Sequence, residues 1–186
     1  CLIEYLYNKN ISREKIIKVE TKAGVKVAQY KNGNISVKMG NPILNSELIP
    51  TSMKLLINDI PYSSYNINDF SNIGYAVGMG NPHLVFFIDD IGKINQAILG
   101  PIFENSNLFP EKTNVHFCQI LNRTSIKVKV WERGAGETLA CGTGACAVHV
   151  AAYKLGLCED KTTIELPGGK LFIEWNDTSE EVIMTG

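Results

Sequence analysis

The chain has 186 residues, 45% of them hydrophobic and 20% charged, with a formal net charge of −1. This length can bury the core of one large domain or two small ones. A near-neutral chain without a run of Lys and Arg, and without an apolar run long enough to span a bilayer, argues against nucleic acid or a membrane as a partner. Five cysteines without a C-x-x-C pair are typical of a reduced, cytoplasmic protein.

A unit of one helix followed by strands is predicted at the start of the chain and again near its end. A helix-like stretch at 2–8 is followed by three strand-like runs that turn at Gly24 and Asn32-Gly33, and a helix at 144–155 is followed by strands that turn at Gly168-Gly169 and Asn176-Asp177. The two units align without a gap at an offset of 145 positions. The matched pairs are Val19 and Ile164, Glu20 and Glu165, Gly24 and Gly169, Val27 and Phe172, Tyr30 and Trp175, Val37 and Val182, and Met39 and Met184. This repeat predicts two similar halves.

Strands alternate with turns between the two units. Runs at 74–79 and 84–88 flank a Gly80-Asn81-Pro82 turn, a short helix is predicted at 94–99, and strands resume at 114–121 and 126–131. Prolines cluster over 41–63, which favours a boundary between halves there. We expect residues 1–45 to be the remainder of a first half-domain and residues 46–186 to be a second.

The helix predicted at 144–155 has almost no polar face. A helix that is apolar all round and rich in small residues is usually buried on every side. Because strands precede and follow it, the predicted fold class is α/β (α+β). Each of two pseudo-symmetric halves would be a mixed, mainly antiparallel sheet wrapped around a central helix.

A cysteine at a glycine-rich turn is the strongest chemical signal in the chain. Cys141 precedes Gly142-Thr143-Gly144 and the apolar helix. Unpaired N–H groups at a helix N-terminus favour the thiolate of such a cysteine, and those of Gly142 and Thr143 can hold a substrate carboxylate beside the sulfur. The alternative is a buried structural cysteine. The glycines and an upstream acid–Arg cluster favour the site, because glycines permit close approach of the backbone to a ligand.

That upstream cluster is Glu132-Arg133, which ends a strand before the turn that leads to Cys141. Arg133 is suited to holding a carboxylate bidentately, and Glu132 is suited to accepting from an ammonium group. Because an α-amino acid end carries both groups, the pair indicates an amino-acid ligand. The alternative is a solvated ion pair at a strand end.

Two asparagines and a histidine are weaker candidates. Asn81 and His83 lie in the Met79–His83 turn, and Asn114 begins a strand. Asn amides are uncharged donors and acceptors suited to fixing a zwitterion. Taken singly, each residue has an ordinary structural explanation as a turn, a strand start or a buried histidine.

The remaining cysteines and histidines are predicted to serve packing. Cys118, Cys146 and Cys158 lack glycine surroundings, and His116 and His149 lie in apolar runs. No cysteine–histidine set has zinc-like spacing, so no metal is expected. The Gly78-Met79-Gly80 stretch is not a dinucleotide fingerprint, since no helix pattern follows it.

Four motifs together resemble the diaminopimelate epimerase family. They are Gly80-Asn81-Pro82-His83, Thr113-Asn114-Val115, Glu132-Arg133-Gly134-Ala135-Gly136-Glu137-Thr138 and Ala140-Cys141-Gly142-Thr143-Gly144-Ala145. The resemblance covers essentially the whole chain. It implies a PLP-independent isomerase, without any cofactor, that interconverts LL- and meso-diaminopimelate in lysine biosynthesis by proton transfer between two thiols. It also implies two pseudo-symmetric halves with the site between them.

The resemblance assigns roles to the candidate residues. Cys141 would be the second-half thiol; Asn81, Asn114 and Arg133 would hold the distal carboxylate, and Glu132 the distal ammonium. The N–H groups of Gly142 and Thr143 would bind the reacting carboxylate, and His83 would support the thiols. The first-half thiol belongs to a Cys-Gly-Asn-Gly turn that precedes a position similar to Cys1. We therefore expect a fragment that is inactive alone.

Two other functions stay open. One is a proline-racemase-like isomerase acting on a cyclic amino acid, although Glu132 with Arg133 favours a substrate with a second zwitterionic end. The other is a non-catalytic module that binds amino acids. A small-molecule ligand is expected in each case, and the sequence leaves open whether the protein is a homodimer.

Overall fold

The computed structural model describes residues 2–12, 14–21, 24–31, 33–179 and 181–186. Cys1 and Asn32, which the sequence patterns singled out, lie outside these residues. The helices are α1 (Leu2–Asn8), α2 (Gln96–Glu104) and α3 (Gly142–Lys154), and a 3-10 turn covers Ile91–Lys93. The strands are β1 (Ile16–Thr21), β2 (Gly24–Lys31), β3 (Asn34–Gly40), β4 (Leu55–Ile57), β5 (Ile60–Ile67), β6 (Phe70–Gly78), β7 (Pro82–Phe87), β8 (Asn114–Asn122), β9 (Ser125–Glu132), β10 (Gly136–Glu137), β11 (Lys161–Leu166), β12 (Gly169–Glu174) and β13 (Val182–Thr185).

The strands form one mixed sheet. Its order is β1-β2-β3-β13-β12-β11-β9-β8-β7-β6-β5-β4, and β10 pairs with β9. The β7–β8 and β11–β9 pairs are parallel and the other described pairs are antiparallel. The predicted mixed, mainly antiparallel sheet is therefore confirmed. No helix in the described ranges is long and apolar enough to cross a membrane.

The internal repeat returns in the strand pairing. In β1–β2, Ile16 pairs with Gln29 and Thr21 with Gly24; in β11–β12, Lys161 pairs with Glu174 and Leu166 with Gly169. Each of these residues of β11 and β12 lies 145 positions after its counterpart in β1 and β2, so both hairpins have the same register.

The third strands differ in register. In β2–β3, Ala28 pairs with Val37, whereas in β12–β13 Ile173 pairs with Met184, two residues beyond the position that the repeat predicts. β3 and β13 pair with each other, so the two copies meet within the sheet. The division of the chain at residue 45 stays a prediction.

Helix α3 is central, as predicted. Every residue from Gly144 to Ala152 is buried, and the helix contacts β6–β8 on one side and β11–β13 on the other. Small side chains such as Ala145 and Ala151 let both groups of strands approach the helix closely. At its far end, Lys154 donates to Asp59 and Asp177 at 3.1 Å each, which ties the C-terminus of the helix to two turns.

Helix α2 packs against β8 and β9 with a second apolar cluster. Phe103 lies 4.7 Å from Phe86 between ring centroids, and a Cβ on Gly100 would lie 2.4 Å from the Trp131 ring. The sequence predicted a helix ending at residue 99, before Gly100-Pro101. The helix continues because Gly100 allows contact with Trp131 and because Phe103, one turn later, fills the core.

The hairpin β4–β5 was not predicted. It occupies part of the proline-rich region 41–63, and its turn places Asn58 and Asp59 at positive φ, 49° and 68°. Asn and Asp adopt this conformation more readily than other non-glycine residues. The hairpin forms one edge of the sheet, and its turn also holds α3, because Asn58 Nδ2 donates to Lys154 O at 2.8 Å.

All three histidines are buried, and burial lowers the pKa of each. The pKa of His116 is lowered to about 3, that of His149 to about 4, and that of His83 well below its ordinary value. An unfolded imidazole titrates near about 6.5. Below that pH the unfolded chain takes up protons that the folded chain does not.

We therefore expect the free energy of unfolding to keep its full histidine contribution above a pH of about 6.5. It should fall progressively as the pH is lowered toward the folded-state pKa values. Each imidazole should contribute a slope of roughly 1.4 kcal/mol per pH unit. Urea unfolding at several pH values between about 7.5 and 5 measures the slope. His149→Gln, which keeps a donor for Trp175 O, should reduce the slope by the contribution of one imidazole. An unchanged slope would contradict the buried histidines as the origin of the pH dependence.

Candidate active site

The candidate residues meet at one end of the central strands β7, β8 and β9, and we call this end the site edge of the sheet. β7 and β8 are parallel, and His83 pairs with Asn114 where both strands begin. β9 is antiparallel to β8, so its last residues, Trp131 and Glu132, lie at that same edge. The chain then turns through residues 133–140 and enters α3. This topology brings together residues that are far apart in sequence.

Asn114 joins the two loops at this edge. Its Nδ2 donates to Pro82 O at 2.9 Å, and its Oδ1 accepts from Arg133 N at 3.0 Å. The side chain is only 4% exposed. Because both ends of the amide contact backbone, Asn114 fixes the Gly80–His83 turn relative to the start of the 133–140 loop. One Nδ2 hydrogen remains for a ligand.

Glu104, at the end of α2, holds the same loop from the other side. Its Oε2 accepts from Trp131 Nε1 at 2.7 Å, its Oε1 accepts from Gly134 N at 3.0 Å, and the residue is 7% exposed. The sequence did not single out this residue. The one available signal was a carboxylate ending an apolar helix, and that pattern is too common to identify a partner.

Arg133 extends along this edge. Its Nη1 donates to Glu111 O at 2.8 Å, and its positive charge is one of the causes that lower the pKa of His83. Asn81 lies on the same turn as His83, and its Oδ1 is 2.8 Å from His83 Nε2. The Asn114 amide thus links the backbone of the turn that carries Asn81 to the backbone of Arg133, and the convergence of the three side chains on one pocket stays a prediction. Their binding of a carboxylate stays a proposal.

Cys141 is the N-cap residue of α3. Its backbone is extended (φ −133°, ψ 107°), and its carbonyl accepts the first helical bond, from Ala145 N at 2.9 Å. Its Sγ lies 3.6 Å from Thr143 Oγ1 and makes no capping hydrogen bond to the described backbone of the helix. Helix geometry leaves the amides of Gly142 and Thr143 without helical partners. The thiol is 6% exposed.

The environment of Cys141 disfavours the thiolate. Burial raises the pKa of the thiol, the Thr143 hydroxyl and the Gly144 N–H lower it, the nearby Glu132 carboxylate raises it, and the net direction is upward. The expected thiolate-favouring site is therefore wrong for this structure. Desolvation of the anion exceeds the stabilisation by the helix N-terminus.

Glu132 lies beside this thiol. Its charge helps to raise the pKa of the Cys141 thiol, and its Oε1 accepts from Thr138 Oγ1 at 2.5 Å. The sequence suggested Glu132 only as a partner for an ammonium group and did not identify Thr138. The influence of Glu132 on the thiol suggests a second capability, since a carboxylate close to a thiol can exchange a proton with it.

His83 and His116 form a buried imidazole pair. His83 Nδ1 and His116 Nε2 are 2.9 Å apart. A Cβ on Gly144 would lie 2.2 Å from His116 Cε1, so the first turn of α3 rests directly on the His116 ring. The sequence assigned His116 to packing. Its pairing with His83 could not be read from the chain, because it depends on the parallel pairing of β7 and β8.

The other cysteines lie in the core. Cys118, Cys146 and Cys158 are buried free thiols, and burial raises the pKa of each, that of Cys146 to about 12. These positions agree with the packing role predicted for them. Across the described ranges, no group of three or more His, Cys, Asp or Glu residues is arranged to hold a metal ion.

The raised pKa of Cys141 predicts slow modification at neutral pH. We expect the rate of reaction with methyl methanethiosulfonate to rise with pH to a midpoint above the ordinary thiol value. Glu132→Gln should move the midpoint down, because it removes a negative charge that disfavours the thiolate. Peptide mass spectrometry locates the modified residue.

Glu137→Gln is the matched control, since this carboxylate lies in the same loop and is not among the groups that shift the Cys141 pKa. Its midpoint should equal that of the unmodified sequence. An equal midpoint in Glu132→Gln would contradict the influence of Glu132 on the thiol.

Comparison with known proteins agrees with this geometry. A family model described as diaminopimelate epimerase matches residues 75–186. A diaminopimelate epimerase from Prochlorococcus marinus is 46% identical over 190 residues, covering 100% of this chain and 66% of the relative. One from Methanococcus maripaludis is 41% identical over 192 residues, covering 100% of this chain and 68% of the relative. The chain thus spans about two thirds of the length of these relatives.

Solved structures share the fold at low identity. A probable proline racemase from Agrobacterium radiobacter has a TM-score of 0.68 at 14% identity, with 100% of this chain and 62% of that chain covered. A PhzF-family phenazine biosynthesis protein from Enterococcus faecalis has a TM-score of 0.65 at 15% identity, with 99% and 65% covered. At these identities the likeness concerns architecture alone.

Proposed function

The chain belongs to the diaminopimelate epimerase family, and on that premise we propose that it is the larger part of an isomerase that interconverts LL- and meso-diaminopimelate. The reaction needs no cofactor in this proposal and serves lysine biosynthesis in the cytoplasm. The observation that carries it is the placement of Cys141 at the N-terminus of α3, beside the first-turn amides of the helix and near enough to Glu132 for that carboxylate to raise the pKa of the thiol.

The first step would be binding of the reacting carboxylate. The N–H groups of Gly142 and Thr143 are unpaired within the helix and lie next to the sulfur, so a carboxylate held there places its α-carbon near Sγ. When the α-proton leaves, negative charge spreads onto that carboxylate. The same amides and the helix dipole stabilise this charge.

Glu132 would set the protonation of Cys141. With Sγ protonated and the carboxylate ionised, the thiol can donate its proton to the α-carbon. With the thiol proton moved to Glu132, the sulfur is a base that can remove the α-proton. The raised pKa of the thiol keeps it protonated at neutral pH, as the donating direction requires, and Glu132 supplies a proton acceptor for the other direction.

A second thiol is needed on the opposite face of the α-carbon. Inversion requires removal of a proton from one face and donation to the other, so one fixed group cannot do both. We place that partner in the part of the relatives that this chain does not cover, which is about one third of their length.

The distal end of the substrate would lie at the Asn81–Arg133 side. The Arg133 guanidinium can bind a carboxylate while one of its groups holds Glu111 O, and Asn81 and the remaining hydrogen of Asn114 Nδ2 add uncharged donors. The resemblance gives Glu132 the distal ammonium as well. A substrate with two zwitterionic ends fits this arrangement better than a cyclic amino acid does.

Exchange of the α-proton in deuterated water tests the proposal. A chain extended by the third of its relatives that it does not cover should incorporate deuterium into diaminopimelate and interconvert the two isomers. Cys141→Ala in that chain should lower turnover by about a hundred- to ten-thousand-fold, as expected for loss of one acid–base group. The 186-residue chain alone should show no turnover.

Cys158→Ala is the control for that experiment, because it removes a buried thiol far along the chain from α3's N-terminus while leaving Cys141 in place. Its turnover should stay near that of the extended chain. Robust turnover by the 186-residue chain, or by Cys141→Ala, would overturn the two-thiol reaction.

Arg133→Lys tests the distal pocket. Lysine keeps the charge but lacks the planar fork, so kcat/KM for diaminopimelate should fall by at least about tenfold. Arg123→Lys is the matched control, since Arg123 is exposed and donates to Gly156 O at the other end of α3. Equal kinetics in both variants would contradict the pocket and favour a proline-racemase-like substrate.

A further inference from the structure

A hydrogen-bonded chain of three side chains runs from the core to the candidate site. His116 Nε2 is 2.9 Å from His83 Nδ1, and His83 Nε2 is 2.8 Å from Asn81 Oδ1. Both imidazoles are fully buried, whereas Asn81 is half-buried. The chain therefore ends on the only one of the three side chains that a ligand can reach.

The His116 end of this hydrogen-bonded chain fixes the direction in which its hydrogen bonds donate. His116 Nδ1 is buried and has no hydrogen-bond partner in the part of the chain that the structure describes. Among backbone groups, a buried N–H without an acceptor is rarer than a buried C=O without a donor, and we take the same preference to hold for the imidazole. His116 therefore carries its hydrogen on Nε2 and donates to His83 Nδ1. His83, which has one N–H when neutral, carries it on Nε2 and donates to Asn81 Oδ1.

This direction decides which end of the Asn81 amide faces a ligand. With Oδ1 occupied by His83, the two Nδ2 hydrogens are on the accessible side. In the reverse direction Nδ2 would donate to His83, and Oδ1 would face the ligand. Two donors attract a carboxylate, whereas a carbonyl oxygen repels it.

We propose that His116 is a positioning residue that acts through His83 to hold the Asn81 amide with its Nδ2 hydrogens toward a substrate carboxylate. This inference rests on the proposed function, because it takes Asn81 as a ligand of the distal carboxylate. Contact between His116 and Gly144 gives the chain a second anchor, since α3 prevents the ring from turning away from His83.

Nitrogen-15 NMR of the imidazoles tests the direction of hydrogen-bond donation from His116 to Asn81, and it does not depend on turnover. In the extended chain at neutral pH, both His83 and His116 should be neutral with the hydrogen on Nε2. A hydrogen on His83 Nδ1 would overturn the proposal, because Asn81 would then have to donate to Nε2. This readout does not depend on any variant folding.

Kinetics of two isosteric variants test the consequence. Gln at position 116 offers a donor near the place of Nε2, and Met has similar length without one. His116→Met should raise KM for diaminopimelate by about tenfold relative to His116→Gln, the effect of weakening one hydrogen bond to a charged group, while kcat stays within about twofold. His149 is a buried histidine that is not part of the His116–His83–Asn81 series. The variants His149→Gln and His149→Met should therefore have the same KM.

The outcomes separate the two proposals. Equal KM values for His116→Gln and His116→Met, or a fall in kcat without a change in KM, would overturn the positioning role. An extended chain that does not act on diaminopimelate would overturn the proposed function, and the His83 tautomer would still decide the direction of the chain. If His116→Met fails to fold, the tautomer decides alone.

Discussion

The first turn of α3 has no room for a side chain where it meets His116, and the geometry of the candidate site depends on that contact. Gly144 lies against the imidazole, and His116 stands on β8 two residues after Asn114. Alternate residues of a strand share a face, so one short segment of β8 positions both the helix N-terminus and the loops beside it. Cys141 is placed by the helix, and Asn114 is placed by the strand.

Two hydrogen-bonded clamps keep the loop before α3 in register with this contact. Asn114 holds Arg133 by its backbone, and Glu104 holds Gly134 in the same way. Backbone contacts of this kind fix where a loop runs without using the side chains that face a ligand. From adjacent positions, Arg133 donates to Glu111 O and Glu132 accepts from Thr138 Oγ1, so the two side chains engage different segments of the chain.

Burial gives the site its electrostatic character. Desolvation keeps the imidazoles of His83 and His116 neutral and keeps Cys141 protonated, so the groups at this edge interact as hydrogen-bond donors and acceptors more than as charges. Arg133 and Glu132 are the charged exceptions. In the proposed reaction, the proton that the buried thiol keeps is the one to be transferred.

The sequence by itself determined the local features of this protein. Helix α1, the paired turns at Gly24 and Gly169, the strands from β6 to β9, and the start of a buried helix at Cys141 follow from apolar periodicity and turn residues, which act over a few positions. Tertiary structure decided the rest. The raised pKa of Cys141, the bond between His83 and His116, the clamp from Glu104 and the two-residue register change of β13 depend on partners far along the chain. Desolvation and strand pairing are set by those partners, so no local pattern encodes them.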